Sequence, residues 1–395
     1  MKYKLTERDI KIQEKLIRDY VNINPSKLFE DNLEKYTSQI QNFLIQGLGI
    51  PPLFYEGKSL LDLGCGTGET TRVLSKLGCD VTGIDFNAEA IKLAEELFER
   101  DNLKARLAVG SIYALDDIPD IQAKYDIVSS FGVIHHLPNQ RAALKALAEK
   151  VKDGGLLILA VGTGVAGLQF LLIKWACRAF PKIDISTAAK LLFPEWIRRC
   201  SVFGHRSEES VINDNIINSQ HDYIPLSQLI ELLQQNEMNL LATFPEIEKP
   251  SGDSLMNNTL DRNLDTFKTS LMFNEVLWSM HTHDDVERSP QGQDVSSLYE
   301  IFLGIHDKIN GNVDEYKAGT ITNIPDMSAM PNIDNDKFYD SKIRIYLTEL
   351  KNFLEIIDHG VDIHRVAKAV QDYEILFKGT AGLNMNYLSF YKEKK

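Results

Sequence analysis

The sequence predicts a doubly wound α/β domain with helical material before and after it. Two observations carry that expectation. Between residues 58 and 161 short apolar runs alternate with helical stretches. A glycine-rich turn, Leu61-Asp62-Leu63-Gly64-Cys65-Gly66-Thr67-Gly68, closes the first run, and an acidic residue, Asp85, ends the next. Strands separated by helices cannot pair as hairpins; they form a parallel sheet covered on both faces.

In order, 59–63 reads as a strand, 69–77 as a helix, 80–85 as a strand, and 88–100 as a helix with Asn87 as its N-cap. Further strands are expected at 105–109 and 125–130, a helix at 140–151, a turn at 153–155 and a strand at 156–161. Ahead of them, residues 1–50 read as a helical cap: Ile10, Ile12, Leu16, Ile17 and Tyr20 recur at helical spacing, and Asn24-Pro25 separates that run from a second one over 27–46. Such a cap either simply covers the domain that follows or also covers a ligand pocket, with Tyr20 or Tyr36 reaching inward.

After residue 161 the alternation fades. Residues 162–203 look helical and apolar, 225–236 form a helix, and 240–244 form a strand. The domain is drawn over 51–248, with a lid insertion at about 165–220. The C-terminal region, 249–395, has no assigned fold. Within it, 281–340 holds 12 Asp and Glu against 4 Lys and Arg, a net charge of -8, which suits a solvated acidic face or a basic partner. A helical block over 342–371 and two β-like runs, 373–377 and 387–391, finish the chain.

Composition narrows the function. The 395 residues carry a net charge of -13, so no basic face is expected to neutralise a phosphate backbone, and nucleic acid is not an expected partner. Four cysteines are too few for a disulfide scaffold. The charged start, Met1 to Asp9, has no apolar signal core, and the greasiest stretch, 168–180, is short and holds Gln169, Lys174 and Arg178. A cytoplasmic protein without a membrane span is the expectation. Core packing, a substrate lid and a membrane-surface helix are the three readings of 168–180.

The glycine turn carries the chemistry. Its three glycines at alternate positions let the backbone bend sharply and approach a ligand, and the helix beyond points free N–H groups toward it. Asp85, seventeen residues after Gly68, stands where a ribose diol would receive two hydrogen bonds, and Phe86 could lie against an adenine. The spacing is G-x-G-x-G, not the G-x-G-x-x-G that cradles a pyrophosphate. Asp62, inside the strand end, would repel a pyrophosphate but attract an ammonium or sulfonium.

With Gly83-Ile84-Asp85-Phe86-Asn87 and the segment Tyr125 to Asn139, which holds His135-His136-Leu137-Pro138, these motifs resemble the class I S-adenosylmethionine-dependent methyltransferases over roughly 36–244. The resemblance implies a Rossmann-like, seven-stranded, mostly parallel sheet and S-adenosyl-L-methionine as cofactor, with S-adenosyl-L-homocysteine as product. It implies that Gly64, Cys65, Gly66 and Gly68 line the methionine part, that Asp62 lies near its amino group, and that Asp85 holds the ribose. Phe86 would pack on the adenine and Phe131 would border the methionine chain. Where the family often has Gly-Asp, this chain has Gly110-Ser111-Ile112, leaving the Ser111 hydroxyl and the Ile112 N–H for the adenine edge.

Methyl transfer is an in-line displacement at a sulfonium carbon, helped mainly by alignment and desolvation, with a base when the acceptor is a hydroxyl or a protonated amine. His135 and His136, just after the fourth strand, and His221 and Tyr223, before the helix at 225, are the candidates for that base. Either histidine of the pair could instead only pack or brace its loop. His281-Thr282-His283-Asp284-Asp285 offers ligand types but lacks a partner set at metal spacing, so no metal is expected. The expected function is transfer of a methyl group to O or N of a small organic acceptor. A peptide or protein acceptor, a non-catalytic cofactor-binding module and an NAD-dependent oxidoreductase are the alternatives.

Overall fold

The computed structural model describes residues 33–119, 121, 123–204, 207–218, 223–247, 264–280, 295–311, 341–358, 362–378 and 385–394, with Thr6, Glu7, Ile10, Lys11 and Glu14 before them. Tyr20, His221 and the run 281–285 lie outside these residues.

Seven strands form one sheet: β1 (Ser59–Leu63), β2 (Asp80–Asp85), β3 (Ala105–Val109), β4 (Tyr125–Phe131), β5 (Val151–Gly162), β6 (Met238–Phe244) and β7 (Met385–Lys392). Their order is β3-β2-β1-β4-β5-β7-β6, and only β7 runs antiparallel to its neighbours. The order reverses between β1 and β4, and the crevice at the carboxyl ends of these strands is where open α/β sheets bind ligands. At the opposite end of the sheet, Asp126 accepts the Ser59 N–H at 3.0 Å and the Ser59 hydroxyl at 2.6 Å, and Lys152 Nζ reaches the same oxygen at 3.0 Å, so the starts of β1, β4 and β5 are fastened together.

The strands are apolar because both faces are covered. On one face α1 (Leu33–Asn42), the turn after it and α2 (Glu69–Lys76) pack through Ile40, Leu44, Val73 and Leu74 onto Leu60, Ile127 and Ile158. The other face carries α4 (Gln140–Glu149) and α9 (Leu226–Gln234), with Leu144, Leu147, Leu229 and Leu233 on Val128, Leu157 and Leu159. Helix α3 (Ala88–Arg100) follows β2, and its N-cap is Asn87, whose side chain accepts from the Glu89 and Ala90 N–H groups.

A second, largely helical core lies beyond the sheet. It joins α5 (Leu168–Arg178), α6 (Ile185–Leu192), α7 (Pro194–Gly204) and α8 (Glu208–Ile212) to the C-terminal helices α10 (Leu264–Met280), α11 (Val295–Gly311), α12 (Ser341–Asp358) and α13 (Ile363–Asp372). Every residue from Leu168 to Cys177 is buried, Gln169 and Lys174 included. This burial agrees with core packing, and residues 168–177 present no exposed apolar face to a membrane. Gln169 is accommodated because its amide donates to the Ser279 carbonyl at 2.6 Å and accepts the Phe377 N–H at 3.1 Å.

Three local expectations need correction. Residues 373–377 form a turn, not a strand: the N–H groups of Glu374, Ile375 and Leu376 all donate to the Glu349 carboxylate at 2.5, 3.1 and 2.8 Å, leaving no ladder for a partner strand. The turn read at 153–155 is absorbed into one long strand, β5, with a register shift against β4 and Gly154 at φ 77°. The sheet also crosses the boundary drawn at 248, since β7, expected as a β-like tail, fills the place between β5 and β6. Among the described residues no helix is long and apolar enough to cross a membrane.

Phe390 in β7 is fully buried between the two pairing strands. Phe390→Ala should lower unfolding free energy by about 3–5 kcal/mol, the usual range for emptying an aromatic site in a core. Urea denaturation followed by far-UV circular dichroism measures it; a loss under about 1 kcal/mol would show that β7 is not held in the sheet in solution.

Candidate functional site

The glycine turn begins where β1 ends. Gly64 N–H and Cys65 N–H both donate to the Ile84 carbonyl, at 2.7 and 3.1 Å, so the turn leans on the end of β2. Gly64 sits at φ 77°, and a Cβ there would stand 2.2 Å from Val133 Cγ2. Gly66 is different: φ is 55° and a Cβ would meet nothing within 4 Å, so this part of the turn faces open space. Gly68, also left-handed, precedes the first residue of α2.

Asp85 ties the turn to the next helix. Its Oδ2 accepts the Gly66 N–H at 2.9 Å and its Oδ1 accepts the Asn87 N–H at 2.9 Å. Burial pushes its carboxyl pKa up, partly offset by the backbone N–H groups of Asn87, Gly66 and Phe86. Asp62 is more enclosed, with Thr71 Oγ1 donating at 2.6 Å and Ser129 Oγ donating at 2.8 Å to its two oxygens. Burial raises it to about 6 against the help of these hydroxyls. Both acids stay because hydrogen bonds replace part of the lost hydration.

Asp85 and Phe86 line a cleft with Gly64, Ile84, Ser111 and Ile112, closed on the far side by Val133, Leu137 and Pro138. The structure therefore brings Gly64, Asp85, Phe86, Ser111 and Ile112 together. The Ser111 hydroxyl accepts the Tyr113 N–H at 3.3 Å and so caps the turn that follows β3. Cys65 is buried beside the turn and its thiol pKa is pushed well up by desolvation, so it is not a nucleophile there. Phe131, half-buried, lies on the α1 side of the sheet, 6.5 Å from the Tyr387 ring.

The helical cap reaches this region. Tyr36 on α1 is hydrogen-bonded through its hydroxyl to Thr70 Oγ1 at 2.8 Å, in the first turn after the glycine loop. Two lining residues escaped the reading of the sequence. Tyr113 Oη accepts the Asn139 N–H and donates to the Asn139 carbonyl, both at 3.1 Å, which staples the loop after β3 to the loop after β4. Val133 fills the space a side chain at Gly64 would need. Only the partner across the loop reveals such roles; the local sequence carries no signal for them.

The acceptor-side candidates sit beyond β4 and β5. His135 is buried, and its Nδ1 accepts the Gly162 N–H at 3.2 Å. Its ring lies 4.2 Å from His136 and 5.7 Å from Tyr223, centroid to centroid. Desolvation, then His136 and Lys174, hold its pKa well below the usual 6.5. Its Nδ1 is thus engaged by a backbone N–H while burial disfavours the charged ring. His136 Nδ1 lies 3.4 Å from the Asn218 amide nitrogen. Tyr223 is buried between Gly162 and Gly167, where an added Cβ would stand 2.4 and 2.7 Å from its ring. Among the described residues no group of three or more His, Cys, Asp or Glu is placed to hold a metal.

Fold and site together define a nucleoside-binding doubly wound domain with a carboxylate at the end of its second strand. A family described as a methyltransferase domain matches residues 34–192. The chain is 31% identical over 196 residues to a ubiquinone biosynthesis O-methyltransferase of Psychrobacter arcticus, covering 49% of this chain and 72% of that protein. It is 30% identical over 152 residues to the enzyme of that name from Glaesserella parasuis, covering 37% and 64%, and 38% identical over 112 residues to a 2-methyl-6-phytyl-1,4-hydroquinone methyltransferase of Synechocystis, covering 28% and 33%. The chain thus spans less than two thirds of the last two proteins. It belongs to the class I S-adenosylmethionine-dependent methyltransferase family.

The two glycines separate steric from ligand roles. Gly64→Ala should lower the melting temperature sharply, since left-handed strain of about 1–2 kcal/mol is joined by overlap with Val133. Gly66→Ala should show the strain alone while weakening nucleoside binding. Differential scanning fluorimetry with and without S-adenosylhomocysteine reads both; equal destabilisation by the two variants would contradict the geometry.

Proposed function

We propose that this protein transfers the methyl group of S-adenosylmethionine to a hydroxyl oxygen of a small aromatic acceptor of the phenol or hydroquinone class. The observation that carries the reading is the joint geometry of turn and acid: Gly66 faces open space while its N–H is held by Asp85, which lines the same cleft as Phe86, Ser111 and Ile112. That donor set suits a ribose and an adenine, with Asp62 toward an amino group. The ubiquinone biosynthesis O-methyltransferases among the relatives favour oxygen over nitrogen or a peptide, and the hydroquinone methyltransferase favours an aromatic acceptor.

When bound, S-adenosylmethionine would supply an electrophilic methyl group with S-adenosylhomocysteine as the leaving group, and the hydroxyl proton would pass to a side chain or to water. The protein's share is alignment and exclusion of water. The glycine turn, Asp62 and Asp85 fix the donor, and α1, fastened by Tyr36 to Thr70, closes over the start of α2. His135 and Tyr223 form the wall that an acceptor ring would meet. His136, His221 and Tyr223 stay as candidates for receiving the proton, and His135 is the least suited because its basicity is suppressed.

Calorimetric titration with S-adenosylmethionine, S-adenosylhomocysteine and NADH tests the cofactor, and methyl-donor consumption with a panel of catechols and hydroquinones tests the acceptor. Binding of both sulfur nucleosides, silence from NADH and turnover with at least one diphenol are expected. Binding without turnover on any diphenol, phenol or amine would overturn the transferase reading. Asp85→Ala should cost about 1–3 kcal/mol of cofactor affinity, the size of a charge-assisted hydrogen bond; unchanged affinity would remove the ribose assignment.

Acidity gives a further handle. The raised Asp62 pKa, about 6, means that its ionisation costs the ligand-free fold some stability as pH rises from the ordinary carboxylate range through 6. A bound ammonium reverses that preference. Affinity should therefore fall as pH drops below about 6, by at most roughly tenfold per pH unit for one proton, and Asp62→Asn should flatten the slope. A slope that survives intact in Asp62→Asn would assign the proton to Glu69 or Asp85, whose carboxyls burial also raises.

A further inference from the structure

Segments far apart in the chain meet just past the carboxyl end of β5, outside the cofactor cleft. Glu275, on α10, is 1% exposed. Its Oε1 accepts the Leu226 N–H at 3.2 Å, and its Oε2 accepts the Tyr299 hydroxyl of α11 at 2.9 Å. The carboxylate also faces the turn leaving β5: its Oε1 would stand 3.3 Å from a Cβ built on Gly164, and the Thr163 hydroxyl and Val165 N–H favour its charged form. One acid thus accepts from the first residue of α9 and from α11 while it lies against the turn that leaves β5.

The two segments it gathers already touch. Gly164 N–H donates to the Ile224 carbonyl at 2.9 Å. Between them Tyr223 is wedged against Gly162 and Gly167, and its ring stacks on His135 at an interplanar angle of 21°. His135 in turn is held by the Gly162 N–H. Thr163 has a second partner, Asn386 of β7, whose amide donates to its hydroxyl at 2.7 Å. The acid closes this circuit from outside the sheet, and it comes from the C-terminal region.

We propose that Glu275 is a positioning residue: its carboxylate locks the turn after β5 to the start of α9 and thereby keeps the Tyr223 ring seated on His135. That this wall faces an acceptor rests on the methyl-transfer reading; the clamp itself does not. A buried carboxylate is retained in such a place only where donors replace its water, and here one donor belongs to the segment that carries Tyr223 and the other to α11. Glutamine would turn an N–H₂ toward N–H and O–H donors, leaving at least one buried donor without an acceptor.

The test uses the full chain without ligand. Histidine side-chain NMR from pH 5 to 8 reads His135 directly, and amide hydrogen exchange reads 163–167 and 224–226. In the wild type His135 should not titrate across this range. In Glu275→Gln it should begin to titrate toward the ordinary histidine value, and exchange in the two segments should rise at least tenfold, while exchange in 59–85 and affinity for S-adenosylhomocysteine stay as in the wild type. The other ionisable groups facing this circuit are Tyr299, Glu300 and Asp307 on α11, with His306 beside Tyr223 and His136 and Lys174 beside His135. A folded Glu275→Gln with silent His135 and exchange within twofold of wild type would overturn the proposal, and so would an equal acceleration throughout the sheet. If that variant does not fold, Tyr299→Phe removes one donor only: about threefold faster exchange at 163–167 supports the clamp, and no change sinks it. Failure of the wild type to bind S-adenosylhomocysteine would count against methyl transfer and leave these readouts intact.

Discussion

A sheet whose sixth place is filled by the last strand of the chain cannot be completed by its first half. β5 is paired along 156–162 with residues 385–391, so its apolar run Leu156-Leu157-Ile158-Leu159-Ala160-Val161 depends on a partner more than 220 positions away in sequence. Closing such a loop costs entropy that only the assembled sheet repays. β6 in turn reaches the sheet only through β7. A fragment ending near residue 248 would present the β5 edge unpaired and long, the geometry that invites edge-to-edge association. The helices that precede β7 are drawn into the same unit, because their apolar faces pack on α5, α6 and α7 rather than on one another alone.

The site follows from where the sheet changes direction. β1 and β4 part at the switch point, and the glycine turn, the end of β2 and the loops after β3 and β4 converge on the gap. Each loop is pinned by a short polar contact: the turn to Ile84 and Asp85, the β3 loop to Asn139 through Tyr113, and α1 to Thr70 through Tyr36. Preorganisation of this kind means that binding has little backbone left to order, and more of the contact energy appears as affinity.

Much of the first half was legible in the sequence because its signals are local. Apolar runs of five or six residues bounded by Gly, Asp or Asn mark β1, β2 and β3, and Asn87 announces α3 by its capping chemistry. The glycine turn and Asp85 are legible for the same reason, since their spacing is fixed by backbone geometry. What escaped depends on partners distant in sequence. Nothing in 387–391 says which strands it will join. Tyr373 to Phe377 has β-forming residues, yet three N–H groups in that stretch are captured by Glu349 from another helix. Gln169 and Lys174 read as polar interruptions in an apolar run, whereas Gln169 is satisfied inside by Ser279 and Phe377, and Lys174 donates to the Asn218 carbonyl. Glu275 lies in a stretch to which the sequence assigned no fold, and its role appears only with Leu226 and Tyr299 beside it.

The burial of α5 on all sides bears on how anything enters. A flap works by exchanging few contacts for solvent, but swinging α5 outward would expose Leu168, Leu171, Leu172 and Trp175, which are between 0 and 2% exposed in the closed arrangement. At roughly 1.5–3 kcal/mol per side chain, that motion costs on the order of 6–12 kcal/mol, an open population below about one in ten thousand at 1.4 kcal/mol per tenfold. Access to the cleft beside Phe86 at rates useful to a catalyst therefore calls for smaller excursions than an outward swing of α5.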